Sequence, residues 1–100
     1  MKYGVRAKQS DLVVHLLRER ATDDGPRVGL VVSKKVGSAV ERHQVSRRIR
    51  HVAKTILGDL QSSDRVVIRA LPGSRSSSSL LLSYQLNKAL RRAFELAGTH

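Results

Sequence analysis

The apolar positions along the chain change period three times, and each change marks a boundary between strand and helix. Asp11 to Glu19 runs Leu12-Val13-Val14-His15-Leu16-Leu17, apolar on both alternating faces, which predicts a strand covered on both sides. A short edge strand is expected before it, around Val5–Lys8. Thr22-Asp23-Asp24-Gly25-Pro26 is turn chemistry, and Arg27 to Ser33 then alternates Val28, Leu30 and Val32 with Gly29, Val31 and Ser33. Two strands flanking one turn predict an antiparallel hairpin.

The period next lengthens to that of a helix. Ser38 and Glu41 form an S-x-x-E capping box, and Gly58 is placed as a left-handed terminator, so a helix is expected over about Ala39–Leu57. Val45, Ile49, Val52 and Ile56 fall on one side of it, with Ala53 and Leu60 beside them. Period two returns over Asp64 to Leu71, where Val66, Ile68 and Ala70 alternate with Arg65, Val67 and Arg69, and Pro72-Gly73 ends that strand. The serine-rich stretch Ser74–Ser79 reads as a flexible loop whose last serines can cap the next helix. That last helix is expected from about Leu80 to Ala97, with Leu82, Leu86, Ala89, Leu90, Ala93, Phe94 and Ala97 as its buried face and Gly98 as its end. The order strand, strand, helix, strand, helix predicts one small α+β sandwich over residues 1–100, with helices over one sheet.

Charge changes what the first helix is for. The chain has 19 Lys+Arg against 8 Asp+Glu, a net charge of +11, and 13 of the cations are arginines. Arginine forks onto phosphate oxygens better than lysine does, so a basic chain of this kind points to phosphate. The charge is clustered: Lys34, Lys35, Arg42, Arg47, Arg48, Arg50 and Lys54 lie within 22 residues that hold a single acid, Glu41. On a helix His43, Arg47, Arg50 and Lys54 form one stripe away from the apolar side, flanked by Arg48 and His51. Such a stripe can follow a phosphate backbone and displace its counterions. Aromatic residues are few (Tyr3, Tyr84, Phe94), which favours structured RNA held by backbone and shape over single strands stacked on aromatic platforms.

Other chemistries find little support. The acids stand mainly at element ends and turns, and no pair of them suggests acid–base work. The four histidines show no HxxxH spacing and there is no cysteine, so neither a protein-held metal nor a disulfide is expected. No apolar run approaches the roughly 20 residues of a membrane span, and no signal-peptide core is seen. A membrane-surface helix would combine the same basic and apolar faces, but here the apolar face is small and aliphatic and lies between strands that should bury it.

The stretch Arg27-Val28-Gly29-Leu30-Val31-Val32-Ser33-Lys34-Lys35-Val36-Gly37-Ser38-Ala39-Val40, followed by Arg42-His43-Gln44-Val45-Ser46-Arg47-Arg48-Ile49-Arg50, resembles the protein subunit of bacterial ribonuclease P. The later segments Asp64–Arg69 and Leu86–Ala97 resemble that family as well. The resemblance implies a two-layer sandwich like domain 2 of ribosomal protein S5, with a left-handed βαβ crossover; the residues alone would suggest the commoner right-handed one. It implies binding to the catalytic RNA of ribonuclease P and to the 5′ leader of precursor tRNA; the cytoplasm is the default expectation for a sequence in which no membrane span or signal-peptide core is read. The RNA, with Mg²⁺, then carries out endonucleolytic removal of the leader. On this reading the RNA-binding residues are Lys34, Lys35, Arg42, His43, Arg47, Arg48, Arg50 and Lys54, the leader-binding residues are His15, Ser46 and Arg50, and no protein residue is catalytic. A structural ribosomal-RNA-binding protein is the alternative.

Some positions depart from the family pattern. His43 and Gln44 stand where Asn and Arg are usual, and Ser46 where Lys is common, so RNA contact there is expected to be weaker or differently made. His15 holds a strand position where some members carry a leader-contacting tyrosine. The family's basic N-terminal segment and first helix have no counterpart before Lys2-Tyr3-Gly4. Their absence is expected to uncover apolar sheet surface and favour self-association.

Overall fold

Four strands and two helices form the expected two-layer α+β sandwich. The structure, a computed structural model, describes residues 4–18 and 25–98. Strands β1 (Val5–Lys8), β2 (Leu12–Arg18), β3 (Arg27–Val32) and β4 (Asp64–Ala70) make one sheet in the order β1-β2-β4-β3. Helix α1 (Ala39–Ala53) connects β3 to β4, and α2 (Ser79–Ala97) comes after β4.

The expected hairpin of β2 with β3 does not form. β4 lies between them, antiparallel to β2 (Val14 opposite Ile68) and parallel to β3 (Leu30 opposite Ile68). The apolar face of β4, with Val66, Ile68 and Ala70 all buried, gains most from a central position. The β3–α1–β4 unit is a βαβ crossover, and it brings those two strands together in parallel. Of the turn between β2 and β3, residues 22–24 lie outside the described residues.

One core joins both helices to one face of the sheet. Leu12, Val14 and Leu16 of β2 and Val66, Ile68 and Ala70 of β4 meet Val45, Ile49 and Val52 of α1 and Leu82, Leu86, Ala89, Leu90 and Ala93 of α2. β2 is therefore covered by helices on one side only, contrary to the two-sided reading of its sequence. On its other face Val13 is buried between its cross-strand neighbours Lys8 and Arg69, while His15 and Leu17 stay half-exposed.

Helix α1 begins as expected and ends early. Ser38 Oγ accepts from the Glu41 N–H at 3.2 Å and the Glu41 carboxylate accepts from the Ser38 N–H at 2.9 Å, so the capping box is closed on both sides. Gly37 permits it: its φ is +156°, and a Cβ there would stand 2.6 Å from Glu41 Oε1. At the other end the helix tightens into a 3-10 turn, Lys54–Asp59, and Gly58 is not left-handed. That turn keeps Ile56 buried while bringing Leu57 to the surface.

The serine-rich segment is folded rather than a flexible loop. Pro72–Ser76 forms a 3-10 turn in which Ser74 is fully buried, its hydroxyl donating to the Leu71 carbonyl at 2.6 Å. Ser78 caps α2 by accepting from the Leu81 N–H at 3.1 Å. On α2 the expected apolar face is buried as far as Ala93; Phe94 is half-buried, Ala97 is exposed, and Gln85 joins the buried side. No helix among the described residues is long and apolar enough to cross a membrane.

Candidate nucleic-acid interface

The closed cap and buried stripe of α1 decide where its cations point. With Val45, Ile49 and Val52 in the core, His43, Gln44, Arg47, Arg50 and His51 are exposed beyond the first turn, where Ala39 and Val40 are exposed as well, and Lys54 continues the row at the start of the 3-10 turn. Lys34 and Lys35, both exposed, occupy a 3-10 turn (Lys34–Val36) just before the helix, anchored by buried Val36. The expected row of basic side chains is thus exposed along one side of the helix, with Lys34 and Lys35 at its entrance.

The remaining expected residues are less free. Arg48 is half-buried, and its Nη1 donates to the carbonyl of Ser77 at 2.8 Å, so one edge of its guanidinium is engaged within the protein. Arg42 is half-buried with its Nε enclosed and without a hydrogen-bond partner. Ser46 is half-buried on the helix.

Two grooves flank α1 and divide its cations. Toward α2, Gln44, Arg47, Arg48, His51 and Ser79 line a polar groove of about 370 Å³. Toward the β3 edge, Arg50 and Lys54 border an apolar cleft of about 480 Å³ lined by Val28, Leu30, Ala53, Leu57 and neighbouring core side chains.

A third basic surface lies on the opposite face of the sheet. Arg6, Lys8, Val13, His15, Arg69 and Leu71 line a shallow depression of about 310 Å³ there. Partial burial, then the nearby Arg69 and Arg6 guanidinium groups, hold the His15 imidazole below its ordinary pKa of 6.5. The three residues expected to share the leader are therefore not brought together: His15 is on the open sheet face, whereas Ser46 and Arg50 belong to the helical layer. Sequence reading missed Arg6, Lys8 and Arg69 as one cluster, because they come from three strands. The alternation in each strand was the available signal, but it needs the register to align them.

Arg75 was also missed. The 3-10 turn after β4 brings its Nη1 to 4.0 Å from Glu41 Oε2, adding a cation at the first turn of α1. Both side chains are about half exposed, so this pair contributes little stability. Among the described residues no group of three His, Asp or Glu side chains is arranged to hold a metal ion.

Residues 1–94 match the protein family Ribonuclease P. The chain is 59% identical over 95 residues to the ribonuclease P protein component of Mycobacterium avium, an alignment covering 92% of this chain and 80% of that protein. It is 57% identical over 100 residues to the same component of Mycobacterium ulcerans, covering 98% and 83%. Among solved structures it superposes on the Staphylococcus aureus RNase P protein with a TM-score of 0.75 at 24% identity, covering 92% of this chain and 83% of that one. The Thermotoga maritima RNase P protein gives 0.76 at 20% identity, covering 91% and 84%. At these identities the two structural likenesses bear on the fold alone.

Proposed function

This chain belongs to the ribonuclease P protein family, as a bacterial protein subunit of that endoribonuclease, and from that premise we propose how it divides its surfaces between two RNAs. The helical layer docks on the catalytic RNA through Lys34, Lys35, His43, Arg47, Arg50 and Lys54, with Arg42 and Arg48 contributing from more enclosed positions. The open sheet face receives the 5′ leader of precursor tRNA over Arg6, Lys8, His15 and Arg69. Ser46 and Arg50, first grouped with the leader, go with the catalytic RNA in this assignment. The whole acts as a single RNA-binding domain in the cytoplasm.

The observation that carries this reading is the exposed cation row of α1 on a helix whose other side is buried in the core. Each cation that meets a phosphate releases condensed counterions, so affinity comes largely from the RNA backbone and falls steeply with salt. The described residues do not fit a protein-held Mg²⁺, and the ion is assigned to the RNA, where it would supply metal-assisted hydrolysis of the leader phosphodiester. The chain's own part is to neutralise phosphates that would otherwise repel one another, and so to lower the Mg²⁺ needed.

Self-association has its best support on α2, where Leu80, Leu81, Tyr84 and Leu96 are exposed. The open sheet face offers it less, since the cations there would repel a second copy.

The deciding experiment is precursor-tRNA cleavage by the matching catalytic RNA across a Mg²⁺ series, with and without this chain. A shift of half-maximal cleavage to lower Mg²⁺ is expected. An unchanged Mg²⁺ requirement would sink the proposal, and co-sedimentation with ribosomal subunits would favour the ribosomal alternative.

A further inference from the structure

We propose that the cleft between α1 and the β3 edge is a nucleotide site, taking one unpaired nucleotide of the catalytic RNA with its base against aliphatic side chains and its phosphate on Lys54. This rests on the assignment of α1 to that RNA and says what one part of the interface recognises.

The cleft arises from the topology. β3 is the terminal strand of the sheet, so nothing within the sheet lies beyond it, and Val28, Leu30 and Val32 turn toward the core yet remain only half-buried. Above them α1 ends at Ala53, whose methyl group leaves the space open. The adjoining 3-10 turn places Leu57, 45% exposed, as a wall on the far side. Fully buried Ile49 and Ile68 close the bottom.

The chemistry of the lining selects the occupant. The floor is aliphatic, the two charged residues that border it are Arg50 and Lys54, and no acid takes part. A ligand for this surface has a flat apolar body and an anionic end about one side chain away. A nucleotide has both. The volume of about 480 Å³ falls in the range of small-ligand sites, about 300–1,000 Å³. Exposed Arg50 can lay its guanidinium plane on a base, as arginines do on unstacked RNA, while Lys54 neutralises the phosphate. The scarcity of aromatic residues argues against stacking platforms in general, but here aliphatic walls and one guanidinium supply the contact instead. The occupant belongs to the catalytic RNA because the cleft opens beside the α1 cation row, on the other side of the sheet from the depression around His15.

The test is binding of the catalytic RNA at several salt concentrations, together with chemical probing of its unpaired bases, with or without protein. In the wild-type complex one unpaired base is protected. Ala53→Phe, which fills the cleft, is expected to weaken binding about tenfold, to leave the salt slope unchanged, and to restore reactivity at that base. Leu57→Ser, at a position already exposed, should act in the same direction and serves where Ala53→Phe perturbs folding as read by thermal melting. Lys54→Ala, which removes the proposed phosphate contact, should instead reduce the salt slope by about one unit. Folded Ala53→Phe and Leu57→Ser proteins with wild-type affinity and an unchanged probing pattern would overturn the site while leaving the α1 interface standing. If Arg50→Ala and Arg47→Ala are also without effect, the interface falls with it.

Discussion

Arg48 and Ser77 are 29 residues apart in sequence, and the Arg48 guanidinium donates to the Ser77 carbonyl at 2.8 Å. That bond fastens the middle of α1 to the segment leading into α2. A residue that looks like one more phosphate ligand in the sequence is thus also a brace. Arg48→Ala is expected to destabilise the fold by about 1–2 kcal/mol, the value of a partly buried charged hydrogen bond. Its salt slope for RNA binding should change less than that of Arg47→Ala or Arg50→Ala, each of which should lose about one unit at a stability cost within about 0.5 kcal/mol. Urea unfolding alongside salt-dependent RNA titration separates the two roles. Equal loss of slope in all three variants would mean that Arg48 is chiefly a phosphate ligand.

The same brace continues into the sheet through Asp11. Its carboxylate accepts from the Ser77 hydroxyl and from Gln85 Nε2 at 2.7 Å, and its N–H donates to Gln85 Oε1 at 2.8 Å. Asp11→Ala leaves the largely buried Ser77 hydroxyl and Gln85 amide without this acceptor, and a loss of about 2–3 kcal/mol is expected. Gly73→Ala should be destabilising too, since a Cβ there would lie 2.3 Å from Asp11 Oδ1. Denaturant midpoints measure both, and a midpoint within error of wild type for Asp11→Ala would show that water replaces the network.

This network explains why some of the molecule was legible in the sequence and some was not. Local signals carried the α1 cap, the alternation of β4 and the apolar face of α2, because each depends on neighbours within one or two turns. Pairing of β3 with β4 depends on a partner more than thirty residues away, and the turn between β2 and β3 suggested the wrong neighbour. The serine-rich segment looked featureless because much of its order comes from Asp11 and Arg48, neither of them nearby in sequence. The α1 cations were readable as a stripe. The sheet-face cluster needed the register that sets Arg6 and Val67 opposite His15 and sets Lys8 and Arg69 opposite Val13.

Closing of the α1 cap gives a further expectation. The Ser38 N–H and hydroxyl hold the Glu41 carboxyl below its usual pKa, with a small contribution from Arg75. A depressed carboxylate pKa stabilises the fold above the unfolded value of 4.5, and that contribution disappears as pH falls through the lower folded value. Ser38→Ala should cost about 1 kcal/mol. Gly37→Ala should also be unfavourable, because the new methyl group meets the Glu41 carboxylate. Helical circular dichroism and thermal melts at pH 7 and under acid conditions read this. A Ser38→Ala protein that matches wild type at pH 7 would show that the cap contributes nothing.

His15 offers the most direct probe of the open sheet face. In the free protein its pKa lies below 6.5, so the imidazole is mostly neutral at pH 7 and its protonation at lower pH works against the folded state. Arg69 and Arg6 are part of the reason, and a leader phosphate placed among these three side chains would offset their positive field. The pKa of His15 should then rise on binding, which means that a proton is taken up. Leader affinity should therefore increase as pH falls through the interval between the free and bound values, and His15→Gln should flatten that dependence. Following the imidazole resonance of His15 by NMR, with and without a single-stranded leader oligonucleotide, measures the shift. A titration curve that the oligonucleotide does not move would place the leader elsewhere, whereas an upward shift abolished by Arg69→Ala would tie the leader to the cluster of Arg6, His15 and Arg69.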